Sequence, residues 1–175
     1  MKTGTTSLSR ALKLLGLKGK HFDRDFTPEI LETKKLDFYV DMPAQTRYPA
    51  LDTQYPDSGF ILTVRDTAEW LESCQKWLAR RDLASKQQSA RYGEERIRKV
   101  LGYRQEQFGS TYFEETRFRQ VQARHTAEVQ AYFEGRSSDL LVLNICAGDG
   151  WPELCNFLGL PIASHAFPHE NRRKR

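Results

Sequence analysis

Leu8, Ala11, Leu12 and Leu15 recur at the spacing of one helical face, and Gly16 follows as a stop signal. The helix they predict opens within a few residues of Met1. Two runs of another kind, 60–64 and 140–145, are short, apolar and rich in branched side chains, and they predict buried strands. A helix follows each. After the first run, Asp66 is placed to cap a helix, with Glu69 at the capping-box position and Trp70, Leu71, Cys74, Trp77 and Leu78 on its apolar face. After the second, the turn Gly148-Asp149-Gly150 leads into a short helix, with Pro152 in its first turn and Gly159 just past its end.

The remaining segments fit the same alternation. Thr27 and Pro28 open a short helix through Leu31, and residues 36–40 form a strand ending at Asp41. Residues 42–59 are turn-rich, with Pro43, Pro49 and Pro56; Tyr48, Leu51 and Tyr55 suit a short helix or a packed loop. A charged, weakly amphipathic helix is expected over 85–107, and a longer one over 114–133 with Phe118, Val121, Val129 and Phe133 on its apolar side. Strands alternating with helices predict an α/β fold, a three-layer arrangement of a parallel sheet flanked by helices. In open sheets of that kind ligands bind beyond the carboxyl ends of the strands, where Asp41, Arg65 and the 146–150 turn fall.

The first turn of the chain carries its own chemistry. Lys2, Thr3, Gly4, Thr5, Thr6 and Ser7 run straight into the first helix. A Gly/Thr turn at a helix start aims backbone N–H groups at an anion, the helix dipole adds to the attraction, and Lys2 adds a full charge. The alternative is a small-residue turn that does no more than cap a helix. The nucleoside-triphosphatase pattern G-x-x-x-x-G-K-[ST] is not met, because the Lys precedes the single Gly.

This stretch instead resembles the 5′-phosphosulfate loop of sulfotransferases that use 3′-phosphoadenosine 5′-phosphosulfate (PAPS). Two further segments extend the resemblance. The strand–Arg65–helix–Ser73 arrangement is similar to the family's 3′-phosphate site; taken singly, Arg65 also suits a surface ion pair and Ser73 a solvated helix position. Gly150-Trp151 through Leu158-Gly159, followed by Phe167-Pro168-His169 and Asn171, looks like the C-terminal signature of a bacterial-type subfamily. With His125 and Tyr132-Phe133 upstream, the likeness covers nearly the whole chain.

The resemblance implies a P-loop-like fold and sulfuryl transfer from PAPS to a hydroxyl or amine. Lys2 would neutralise charge on the leaving phosphate. Thr3, Gly4, Thr5, Thr6 and Ser7 would cradle the 5′-phosphate, and Arg65 and Ser73 would grip the 3′-phosphate. Asp41 is the candidate base for the acceptor proton, with His21 and His125 as alternatives; a surface turn is its other reading. The family also places a strand before the phosphosulfate loop, usually at the centre of the sheet, whereas here only Met1 precedes Lys2. An N-terminally truncated sheet is therefore expected. Two other functions compete: a catalytically inactive sulfotransferase-like remnant or binding module, and a small P-loop kinase.

Composition narrows the setting. A chain of 175 residues predicts one sulfotransferase-like domain. The net charge of +4 equals the contribution of the tail Arg172-Arg173-Lys174-Arg175, so the body is near neutral and makes no electrostatic case for nucleic acid. A small-molecule, glycan or lipid acceptor remains the expected partner. Cys74, Cys146 and Cys155 form no C-x-x-C pair, no apolar run spans a membrane and no leader peptide is evident, which together predict a cytoplasmic protein. His21, His125, His165 and His169 lack metal-ligand spacing, so no metal is expected.

Overall fold

The computed structural model describes residues 1–23, 26, 27 and 29–170, with the backbone alone for 80–92 and 96. The basic tail and Pro28 lie outside the described residues. The chain falls into two compact units, one holding Met1, Thr3–Arg65 and the chain from Val129 onward, the other holding Lys2 and Asp66–Glu128.

In the first unit, α1 (Thr5–Leu14) opens directly after the Gly/Thr turn. β1 (Gly19–His21) and β2 (Phe38–Val40) pair in parallel, Gly19 opposite Phe38 and His21 opposite Val40. A side chain at Gly19 would run into the Phe38 ring, so glycine lets this pair close. Between them lies a single turn of helix, α2 (Ile30–Thr33). α3 (Ala44–Gln54) follows β2. β3 (Phe60–Thr63) and β4 (Leu140–Leu143) form a second parallel pair, in register from Phe60–Leu140 to Thr63–Leu143. α7 (Trp151–Leu158) closes the unit, ending at Gly159 in the left-handed conformation.

One buried cluster ties these pieces together. Leu8, Ala11 and Leu12 of α1 meet Phe38 and Val40 of β2, Leu143 of β4, Ile145, and Trp151, Leu154 and Cys155 of α7. A smaller cluster joins Leu62, Val129 and Phe133. Asp52 of α3 is buried yet fully engaged: Arg136 binds both its oxygens, at 3.2 and 2.7 Å, and the Tyr132 hydroxyl donates at 2.9 Å.

The second unit is helical: α4 (Thr67–Tyr92), α5 (Glu94–Phe108), and α6 (Glu115–Tyr132), whose last turn belongs to the first unit. Asp66 caps α4, its Oδ1 accepting the Glu69 N–H at 3.0 Å. Trp70, Leu71, Cys74 and Leu78 are buried as the periodicity predicts. Phe108 and Phe118 stack at 4.2 Å with Trp70 beside them.

The parallel pairing agrees with expectation, but the strands do not make one continuous sheet. They form the pairs β1–β2 and β3–β4, leaving one edge of β2 and one of β3 without a strand partner among the described residues. Two elements were not foreseen, β1 and the full length of α3, and the helix expected over 85–107 is divided: α4 continues to Tyr92 and α5 begins at Glu94, after Gly93 with its positive φ of 79°. No helix among the described residues is long and apolar enough to cross a membrane.

Candidate functional site

The 2–7 turn stands at the carboxyl ends of the strands, held from both sides. Thr3 Oγ1 lies 2.6 Å from Thr63 Oγ1, the last residue of β3. On the other side, Thr5 Oγ1 donates to Asp41 Oδ2 at 3.3 Å, immediately after β2. The Met1 ammonium lies 3.7 Å from Asp41 Oδ1 and 3.4 Å from the Gln45 side-chain oxygen.

Gly4 makes this turn possible. Its φ of 93° is left-handed, and a Cβ there would sit 3.1 Å from Ile145 Cβ. The backbone thus lies directly on the residue that follows β4 by two, which only glycine permits without strain. Because the first residues of a helix have no intrahelical acceptor, the N–H groups of Thr5, Thr6 and Ser7 face outward from the start of α1. Lys13 balances the dipole at the other end.

The Ser7 hydroxyl, like those of Thr3 and Thr5, is engaged within the fold. Ser7 is buried, and its Oγ accepts the backbone N–H of Glu170 at 2.9 Å. It ties the C-terminal segment to α1. Upstream, that segment is fixed by Trp151, whose Nε1 donates to the His165 carbonyl at 2.6 Å while its ring meets Phe167 edge-on. Lys2 has a left-handed backbone with φ of 64°. Arg65 follows β3 by two residues and is half-buried; Ser73 is a half-buried position of α4, in the second unit.

Asp41 anchors a tight polar cluster. Its Oδ2 lies 3.2 Å from His21 Nε2, and that nitrogen is also 3.2 Å from Thr5 Oγ1. Its Oδ1 accepts the Met42 N–H at 2.9 Å. Burial pushes the Asp41 carboxyl up, but the Met1 ammonium, His21 and the Met42 N–H together outweigh it and hold the acid well below the usual carboxylate range. Asp41 is therefore an ionised acceptor.

That fixes the His21 tautomer. The carboxylate accepts a hydrogen bond from the Thr5 hydroxyl, so both oxygens near Nε2 present lone pairs to it. The ring proton belongs on Nε2, and the neutral imidazole carries its lone pair on Nδ1. The His21 side chain is 28% exposed while that of Asp41 is 12%, so the imidazole is the more accessible face of the pair. His125 lies in α6 in the second unit, and burial leads the downward shift of its pKa. Among the described residues no group of three or more His, Cys, Asp and Glu side chains could hold a metal ion.

A Gly/Thr turn beyond parallel strands, facing a carboxylate–imidazole pair, is found in a chain whose residues 1–175 match the family described as sulfotransferase domain. The chain belongs to the sulfotransferase family. The match runs through both compact units. A sulfotransferase domain moves a sulfuryl group from a donor to an acceptor, and the family implies a small-molecule acceptor. No curated protein matches the chain.

Proposed function

We propose that this sulfotransferase domain takes its sulfuryl group from PAPS and passes it to a hydroxyl or amine of a small molecule, glycan or lipid. The observation that carries the reading is the open first turn of α1 standing beside the Asp41–His21 pair. The N–H groups around Thr3, Gly4, Thr5 and Thr6 hold the 5′-phosphate end, and Lys2 offsets charge on the leaving phosphate. Arg65 and Ser73 grip the 3′-phosphate; a guanidinium meets phosphate through two parallel hydrogen bonds, which separates PAPS from ATP.

In the transfer, the acceptor oxygen attacks sulfur and the bond from sulfur to the bridging oxygen breaks. Its electron pair leaves on the phosphate of adenosine 3′,5′-bisphosphate. The acceptor proton passes to Nδ1 of His21. Asp41, ionised and bound to Nε2, orients the ring and stabilises the imidazolium. Asp41 thus serves as a positioning residue, with His21 taking the proton. Cytoplasmic residence accords with free Cys74, Cys146 and Cys155.

A non-catalytic binding module is the second reading, favoured by the open edges of β2 and β3 beside the loop. Isothermal titration with adenosine 3′,5′-bisphosphate, with ADP as control and no metal, tests the donor site. The expected result is a preference for the bisphosphate that Arg65→Ala reduces by at least tenfold. Equal affinity for ADP and the bisphosphate would overturn the PAPS assignment. Bisphosphate binding with no turnover over a broad acceptor panel would favour the binding module.

A further inference from the structure

We propose that the acceptor is an anion, and that Lys20 and Lys34 read its negative group while its hydroxyl or amine faces His21. This rests on the PAPS reading and names the class of acceptor for the same site. The two lysines converge on a single atom. Lys20 Nζ lies 2.6 Å and Lys34 Nζ 3.0 Å from Asp23 Oδ2. Their side chains are 42% and 41% exposed, whereas that of Asp23 is 12% exposed. The carboxylate thus lies beneath and the two ammonium groups lie outermost. Two positive charges share one negative charge, and each ammonium has three N–H donors to place. The outer surface of this cluster is cationic and rich in donors.

Its position is fixed relative to the proposed proton acceptor. Lys20 and His21 are consecutive in β1, with Lys20 opposite Tyr39 and His21 opposite Val40 of β2. Successive strand residues face opposite ways. His21 turns to Thr5 of α1, so Lys20 and Tyr39 turn away from that helix. The Tyr39 hydroxyl accepts the Asp23 N–H and donates to the Met42 carbonyl at 2.8 Å. It pins the loop after β1 to the loop after β2, which carries Asp41. Phe26 packs on the Tyr39 ring, 4.7 Å between centroids. The cationic cluster is therefore held at the carboxyl ends of β1 and β2, on the side away from α1.

The chemistry puts the acceptor on that side. Attacking and leaving atoms of a group transfer lie roughly in line. With the leaving phosphate at the 2–7 turn, which opens α1, the acceptor approaches sulfur from the side opposite the turn. An acceptor extending outward from there runs along the carboxyl ends of β1 and β2 toward the two ammonium groups. Other described carboxylates of this stretch are engaged elsewhere. Glu32 hydrogen-bonds the Tyr55 hydroxyl at the end of α3, Glu29 acts on the same hydroxyl, and Asp37 accepts the Lys18 N–H at 2.7 Å. A carboxylate, sulfate or phosphate on the acceptor meets charge and donors together at the lysine pair.

The first test loads the full chain with adenosine 3′,5′-bisphosphate, which fills the donor site, and titrates it with inorganic sulfate at constant ionic strength while NMR follows the backbone amides. The expected result is saturable shifts at Lys20, His21 and Lys34, with an affinity that Lys34→Gln lowers about tenfold. Glutamine keeps a hydrogen-bond donor for Asp23 and removes the charge. The second test needs no variant. Wild-type turnover with PAPS is compared for para-hydroxyphenylacetate, methyl glucosiduronate and ω-hydroxylaurate, each beside its methyl ester. In every pair turned over, the acid should exceed the ester about tenfold in kcat/KM, through KM. Where no pair is turned over, the sulfate titration alone decides. A titration without saturable shifts at these residues, or esters turned over as well as acids, overturns the anionic acceptor while bisphosphate binding stands. Failure of the folded wild type to bind bisphosphate overturns the PAPS reading and the acceptor assignment with it.

Discussion

Gly4 concentrates two demands on one residue: a φ of 93° and a backbone seated on Ile145. Alanine would meet both at once, since left-handed backbone costs an L-residue about 1–2 kcal/mol and the Cβ would press on Ile145. Gly4→Ala should therefore lower stability by about 2 kcal/mol and weaken bisphosphate binding, measured by urea denaturation and calorimetry on the same sample. A variant with wild-type midpoint and affinity would show that the turn relaxes freely. This residue was legible in the sequence because its signal is local: one glycine among hydroxyl residues ahead of a helical face. His21 was not legible as the partner of Asp41. The two are twenty positions apart, and only the parallel register of β1 and β2, His21 opposite Val40, brings them together. Ser7 shows the converse. Its Oγ accepts a backbone N–H from Glu170, a contact across the chain that no local pattern encodes.

The elements were legible where hydrophobic period and end signals coincided. α4 has Asp66 at its start and a regular apolar face; α7 has Glu153 reaching back to the Gly150 N–H at 2.8 Å and Gly159 at its end. β1 lacked any such signal. Gly-Lys-His shows no alternation, and the strand exists because β2 offers an edge and Gly19 lets the Phe38 ring lie across it. α3 was obscured by Pro43 and Pro49, yet it runs for 11 residues and is clamped through Asp52 to Arg136. The unpaired edges of β2 and β3 carry the clearest prediction at this scale. Thr3 bonds to the end of β3 and Thr5 to the residue after β2, so the turn stands between the two edges. A five-residue apolar strand joined ahead of Met1 should pair with both and complete a single sheet. Edge N–H and C=O groups would then be satisfied and apolar flanks covered. The urea midpoint of the extended chain should exceed that of the 175-residue chain; equal midpoints would mean the edges are already satisfied.

At the scale of the whole molecule, the acid limit of stability is set within the first unit. Asp41 and Asp52 both lie there, and both have carboxyls held below their ordinary range: Asp52 chiefly by its hydrogen bond to Arg136, against the opposing effect of burial, and Asp41 by the ammonium, imidazole and N–H groups that overcome its burial. A carboxyl whose folded pKa lies below its unfolded value stabilises the fold at pH above the unfolded value, about 3.9 for aspartate. That contribution is lost as pH falls from there through the folded pKa. The chain should therefore keep its urea midpoint from pH 7 down to about pH 5 as far as these two groups are concerned, and lose it steeply below about pH 4. Asp52→Asn separates the sources. It keeps a hydrogen-bonding side chain of the same shape but cannot carry the charge that Arg136 meets. Its midpoint should be lower than wild type at pH 7, and it should fall less between pH 5 and pH 3, so the two curves converge in acid. Circular dichroism at each pH measures both. An unchanged acid slope in Asp52→Asn would move the acid sensitivity onto Asp41, in the cluster that holds His21 against the 2–7 turn, and onto Glu153, whose carboxyl the Gly150 N–H likewise holds below its ordinary range.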